Sequence, residues 1–455
     1  MVSAHPADSA IFGHLWTTPE ASALFTDEGR TQAWLQILAA LAQAQADAGL
    51  IPAAAAESIR AHADVSLLDL GLVAEQTRRT GHSTMGLITA LRAVLPEQAR
   101  EWVYYGATVQ DLSDTWFALV SRAIGNIAER DVTRMRDRAL ALAVRYRDTP
   151  MCGRTHGQPG LPVTFGFKAA VWAAELDRHL QRLRQGRSRW EVVQLGGALG
   201  TMEFWGDAAL GLLTGFAGQL GLGVPVIPWI TARDGVAEFL WLLAAMSATA
   251  GKIGNEVYQL QRPEIAELRE SFTPGTVGSI TMPHKRNPEI SEHLVTLARV
   301  IRAQVTTGLD GMICEHERDG RAWKAEWLVV PEVSMAFAAC VGAAARMLDG
   351  LQADPERMRR NVAACHGYLL SEPVMRALAA RLGKHSAHEA VYGIAMHGID
   401  EGQDFRAALR EDPRLDAIPD AELDELLEVR TSIGCCAAFV TAKPQLQDFS
   451  TIMHF

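Results

Sequence analysis

Three groups capable of concerted acid–base chemistry share one short stretch, Gly278-Ser-Ile-Thr-Met-Pro-His-Lys-Arg-Asn-Pro288. Ser279 supplies a hydroxyl, Lys285 a fixed positive charge and Asn287 a neutral donor. Glycines at 275 and 278 open backbone conformations closed to other residues, and Pro274, Pro283 and Pro288 keep a helix from running through. Such a loop can aim amide N–H groups and Lys285 at an anion. A serine oxygen in that positive field loses its proton more readily and becomes usable as a base. A basic surface loop has the same composition, so the reading needs partners elsewhere.

Two other turns supply them. In Gly106-Ala-Thr-Val-Gln-Asp111, Thr108 precedes a helical pattern and can present its hydroxyl beside free N–H groups, an arrangement that suits a carboxylate. In Gly153-Arg-Thr-His-Gly-Gln-Pro159, a histidine lies between glycines in a polar turn, flanked by Thr155 and Gln158. Glu292 follows the serine loop at a helix start.

These turns must be carried by helices. Apolar residues three and four apart run through 20–48, a helix ended by Gly49 and Pro52. Longer helical patterns follow at about 112–147, 164–188, 234–271, 289–318 and 322–350, and no stretch alternates long enough to claim a sheet. Helices of that length favour a bundle that oligomerises. The last hundred residues read as shorter helices around Gly383, Pro413 and Pro419.

The 455 residues carry 43 basic and 53 acidic side chains, a net charge of −10, which gives no general attraction for nucleic acid. Apolar stretches such as 239–251 and 328–348 are short or interrupted by charge, and read as buried bundle helices rather than membrane spans. The six cysteines are scattered without ligand spacing, which fits a reducing cytoplasm. The first residues lack the pattern of a signal peptide. No metal or organic cofactor is implied, because no phosphate loop, dinucleotide fingerprint or His/Cys cluster occurs.

Taken together, the three turns resemble those of the fumarase/aspartase superfamily. The serine loop is similar to its GSSxMPxKxNP signature, the histidine turn to RTHxQxAxPxTFG, and the first turn to GxTSxD. The stretches TDEGRTQAWLQILAALAQAQADAGLIPAAAA, CEHERDGRAWKAEW and GCCAAFV look most like the branch holding 3-carboxy-cis,cis-muconate cycloisomerase and adenylosuccinate lyase. The resemblance implies an all-α, three-domain subunit: 1–110, then 111–350 with the signature loop at 273–288, then 351–455. Tetramerisation would complete its long central bundle, and each active site would draw on three chains. It also implies that Ser279 removes a proton beside a carboxylate while Lys285 and Asn287 hold the dianionic intermediate. Thr108, Thr155 and Gln158 would bind carboxylates, and His156 with Glu292 would orient groups or protonate the departing atom. His82 in TGHST, Tyr104 and Arg233 are further substrate-binding candidates.

Departures from the family pattern narrow the substrate. The cycloisomerases generally lack the histidine present here as His156. Leu15 and Trp16 stand where adenylosuccinate lyases carry an Arg-Tyr pair, Trp327 replaces a phosphate-gripping arginine, and Tyr104 replaces a histidine. Val109 and Ile280 replace serines, which predicts a drier site with fewer donors. The expectation is a lyase releasing fumarate by anti β-elimination from a small dicarboxylate, a nitro-, amino- or N-substituted succinate without a nucleotide. A muconate cycloisomerase and adenylosuccinate lyase are the alternatives. A silent structural relative fits poorly with the presence of Ser279, Lys285, Asn287, His156 and Glu292 together.

Overall fold

The structure is a computed structural model that describes residues 4–272 and 275–441. Thr273 and Pro274, expected to open the serine loop, lie outside the described residues, as do the first three residues and the end of the expected C-terminal domain. Helices dominate the described chain, in line with the all-α expectation. Helix α1 (Asp27–Asp47) starts where the Thr26 hydroxyl accepts from the Gly29 amide at 3.0 Å. It stops at Gly49, whose φ of +72° lets the Leu50 amide reach back to the Gln45 carbonyl at 2.8 Å.

Five longer helices follow: α2 (Val109–Arg145), α3 (Phe165–Trp190), α4 (Asp234–Gln261), α5 (Glu289–Asp310) and α6 (Gly320–Asp349). Helix α4 ends well short of the Ser271 reached by the apolar pattern, because Pro263 has no amide to donate and its ring opposes a further turn. Within α6, Pro331 leaves the Trp327 carbonyl without its usual donor. Helices α4 and α6 are long and apolar enough to cross a membrane by length and composition, yet 72% of each apolar window is buried inside the fold.

The sequence pattern missed a hairpin. Strands β1 (Pro150–Thr155) and β2 (Gln158–Thr164) pair antiparallel as a hairpin, with Thr155 opposite Gln158. Alternation is hidden there by glycine and proline, but a two-residue turn with both φ values positive, His156 at +53° and Gly157 at +78°, has the twist a hairpin requires.

The chain divides into two compact units, each assembled from separate stretches. One holds residues up to Asp131, His179–Gly251 and Leu294–Gly342; the other holds Val132–Arg178, Lys252–His293 and the chain from Ala343 on. In the first, Leu35, Ile37, Leu38 and Leu41 of α1 are buried. Its polar centre is an ion-paired triple: Arg233 meets Asp114 of α2 at 2.8 and 3.1 Å and Glu326 of α6 through Nε at 2.9 Å. In the second, Val374, Leu378, Val391, Phe405 and Leu409 form an apolar cluster among the short C-terminal helices.

Candidate active site

In the first unit, the turn before α2 gathers a polar cluster. Gly106 adopts φ +79°, and a Cβ there would lie 2.3 Å from the Phe204 ring, so only glycine fits. Thr108 caps α2. Its amide donates to Asp111 Oδ2 at 2.9 Å, and Asp111 also accepts from the amides of Gly196 at 2.8 Å and Gly197 at 3.1 Å. Burial pushes the Asp111 carboxyl up to about 7, with those hydrogen bonds pulling the other way. This anchoring leaves the Thr108 hydroxyl to accept from Arg318 Nη1 at 2.9 Å, while Arg318 Nη2 reaches the Gly197 carbonyl at 3.3 Å.

Arg318 Nε is buried with no acceptor. Beside it, the Tyr104 hydroxyl bonds to the side chains of Thr84 and Thr108, and burial raises it far enough to keep its proton. The Thr84 hydroxyl lies 3.1 Å from His82 Nδ1. His82, Tyr104, Thr108 and Arg318 thus form one hydrogen-bonded group with a cation and an unused N–H, a suitable seat for a carboxylate.

The second unit carries the histidine turn and the serine loop. His156 and Gly157 form the exposed hairpin tip. The hairpin is held by Arg154, whose two terminal nitrogens each lie 2.9 Å from an oxygen of the fully buried Glu267 side chain. Asn361 adds a third donor to Glu267 at 2.8 Å. Three residues on, Glu270 caps α5, accepting from the amides of Ile290 at 3.2 Å and Ser291 at 2.6 Å. The two ends of the serine loop are therefore pinned together.

Within the loop, the Gly278 backbone runs against that of Lys285 and Arg286: a Cβ on residue 278 would lie 2.6 Å from the Lys285 carbonyl oxygen and 2.9 Å from Arg286 Cα. The Ser279 hydroxyl oxygen accepts from the Met282 amide at 3.0 Å. That bond strengthens as the oxygen gains negative charge and so favours the deprotonated form. Lys285 is exposed, and Asn287 donates to Glu289 at 3.2 Å. Glu292 lies in the first turn of α5, and Thr155 and Gln158 close the hairpin on either side of His156.

Residues 15–303 match the family model described as Lyase, and residues 367–442 match the model described as Adenylosuccinate lyase C-terminus. The chain is a lyase of the fumarase/aspartase superfamily. It is 38% identical to an N-acetyl-S-(2-succino)cysteine lyase from Enterococcus italicus over 96% of each chain. It is also 38% identical to a 3-carboxy-cis,cis-muconate cycloisomerase from Pseudomonas aeruginosa over 96% of this chain and 95% of that one. Among solved structures, the fumarate lyase from Mesorhizobium sp. BNC1 superposes with a TM-score of 0.86 at 34% identity, covering 93% of this chain and 97% of that one.

Two residues of this lyase stand differently from the sequence reading. Arg233, expected to touch substrate, is 1% exposed and engaged on both edges by Asp114 and Glu326, with its guanidinium 5.0 Å over the Trp229 ring. It positions α2 and α6 rather than offering donors to a ligand. Arg318, which the sequence reading passed over, takes the place beside Thr108. Its signal was its position in the join 311–319 between two long helices, where it stands among Glu315, Glu317 and Asp319. Ile280, in place of a serine, is 94% exposed on the loop. Among the described residues of the lyase, no cluster of His, Cys, Asp or Glu is arranged to hold a metal ion.

Proposed function

We propose that this lyase releases fumarate from a small substituted succinate by anti β-elimination. Ser279 takes a proton from the carbon beside one carboxylate, the electron pair forms the new C=C bond, and the bond from the neighbouring carbon to its heteroatom breaks. The proton removed is very weakly acidic, so the site must hold a second negative charge on the adjacent carboxylate. Lys285 and Asn287 supply that stabilisation, on the order of several kcal/mol in a water-poor site. The group of Thr108, Tyr104, His82 and Arg318 grips a carboxylate. His156, oriented by Glu292, protonates the departing atom, and Thr155 and Gln158 add donors. The two carboxylates and the base come together through assembly of a homotetramer in this reading.

The observation that carries the proposal is the self-closed serine loop, in which the Ser279 oxygen already accepts an amide hydrogen and the Lys285 backbone is fixed against Gly278. The departing heteroatom is nitrogen or sulfur: nitrosuccinate and an amino- or N-substituted succinate fit the scarcity of donors, and the relative from E. italicus adds a succinyl thioether. A second reading, lactone-forming cycloisomerisation of carboxymuconate, is favoured by the relative from P. aeruginosa.

One panel tests these. Purified protein is given nitrosuccinate, aspartate, N-acetyl-S-(2-succino)cysteine, adenylosuccinate and 3-carboxymuconate, with fumarate followed by its ultraviolet absorbance. Fumarate from one or more of the first three, with little from adenylosuccinate, is expected. Loss of carboxymuconate without fumarate production overturns the proposal in favour of the second reading.

A further inference from the structure

A cavity of about 260 Å³ lies in the first unit, lined by Asp27, Arg30, Trp34, Ser83, Ser113 and Trp327 among others. Two of its lining residues are close in sequence to the carboxylate-gripping group: Ser83 sits between His82 and Thr84, and Ser113 lies five residues beyond Thr108 in α2.

Three of the lining side chains hold a buried N–H with no acceptor: Arg30 Nε, Trp34 Nε1 and Trp327 Nε1. Trp34 is only 7% exposed, and the Arg30 guanidinium is stacked 4.2 Å over the Trp116 ring. A buried donor left unpaired costs about 1–3 kcal/mol, so three around one cavity amount to a standing demand for acceptors. The neighbouring indole, Trp323, has met that demand within the fold by donating to Ser113 at 3.0 Å, and it packs edge-on against Trp327. Asp27 also lines the cavity, yet it leaves Arg30 Nε unbonded.

The walls are largely aromatic, the charged groups are Arg30 and Asp27, and the unpaired buried groups are all donors. The ligand must therefore bring an apolar surface and acceptors, one of them placed for the Arg30 guanidinium. The volume of about 260 Å³ falls below the roughly 300–1,000 Å³ of pockets that hold drug-sized ligands, which suits a ligand smaller than a nucleotide.

Resting on the fumarate-releasing reading above, we propose that this cavity receives the leaving group, and that the leaving group is a small acylated amino acid bearing its own carboxylate. Arg30 takes that carboxylate, Trp34 and Trp327 donate to its acyl oxygen, and the indole faces of Trp34, Trp116 and Trp327 cover its carbon skeleton. The residue that stands where relatives carry a phosphate-gripping arginine then selects an amide instead.

The test uses binding, independent of turnover. N-acetylcysteine and N-acetylcysteamine, which lacks the carboxylate, are titrated against the full-length protein by calorimetry and tryptophan fluorescence. N-acetylcysteine should bind at least tenfold more tightly. Arg30→Met should abolish that preference, and Trp327→Phe should weaken both ligands severalfold while keeping the ring. If Arg30→Met does not fold, Trp34→Phe should weaken both probes severalfold, and unchanged affinities would overturn the inference. Equal affinity for the two probes, or no detectable binding of N-acetylcysteine at about 10 mM, on the order of −3 kcal/mol, overturns the inference. Binding of N-acetylcysteine without fumarate from any succinate would overturn the parent reading and leave the cavity's selectivity standing.

Discussion

Substituting Gly278 by alanine probes the loop at its tightest point. The added Cβ would sit 2.6 Å from the Lys285 carbonyl oxygen, where ordinary contact begins at 3.4 Å, so the two backbone segments must part by about 0.8 Å. Both neighbours are main chain and cannot swing aside as a flexible side chain would. Lys285 then moves away from Ser279 by a comparable amount, and a misplacement near 1 Å costs about 10² in rate. That loss corresponds to about 2.7 kcal/mol in the barrier. The loop is exposed and its ends stay pinned by Glu270, so the melting temperature should change by less than about 2 °C. Gly275→Ala is the control: at φ +94° it strains the backbone, but its Cβ meets nothing within 4 Å. Steady-state fumarate release from the best substrate of the panel, with thermal unfolding alongside, gives both numbers. Gly278→Ala with near wild-type turnover, or harmed no more than Gly275→Ala, would refute the argument that the 278–286 contact sets the catalytic geometry.

Ser279→Ala should keep the fold and substrate binding while lowering turnover by about 10²–10⁴, the usual share of acid–base catalysis; undiminished fumarate release would remove Ser279 as the base. Arg233→Met strands two buried carboxylates and should destabilise by about 3–5 kcal/mol in urea unfolding, with much of the loss recovered in the Asp114→Asn, Arg233→Met, Glu326→Gln triple variant. A single variant as stable as wild type would contradict the structural role. Asp111, raised to about 7 from 3.8, contributes stability that is full below about pH 4 and is lost as pH rises through 7. Asp111→Asn should remove that part of the pH slope between 4.5 and 7.5, and identical slopes would show that the carboxyl is ionised throughout. In alkylation at pH 8, the exposed Cys435 should react first, while Cys152 and Cys340, both pushed up to about 12 by burial, should react only on unfolding.

Much of this was legible in the sequence because long amphipathic helices announce themselves over many turns. The patterns at 112–147, 164–188 and 322–350 match α2, α3 and α6 within a few residues at each end. The overrun of α4 came from weighing periodicity above Pro263, where the missing amide decides. The hairpin was invisible to a search for alternation, since β2 places Pro159, Gly160 and Pro162 at strand positions, and its signal was the His156-Gly157 pair. The three turns of the candidate site stood out because glycine and proline mark them locally. Arg233 was read as a substrate ligand and Arg318 passed over for a different reason: residue type says that an arginine seeks carboxylates, but only packing says whether those belong to the protein or to a ligand. Here Asp114 and Glu326 claimed the first and left a nitrogen of the second unclaimed. The cavity beside Trp34 and Trp327 was equally hidden, since its donors come from stretches nearly three hundred residues apart.

The short run from Glu267 to Glu270 has an effect larger than its length. One acid braces the strand that aims the histidine, and the other fastens the beginning of α5. Admitting a ligand can then disturb only what lies between those fixed points, a matter of a few loop contacts, while the imidazole stays pointed where the hairpin sets it. A deletion of a single residue inside that run would put both braces out of register at once, and the hairpin that carries His156 and the start of α5 would lose their anchors in the same step.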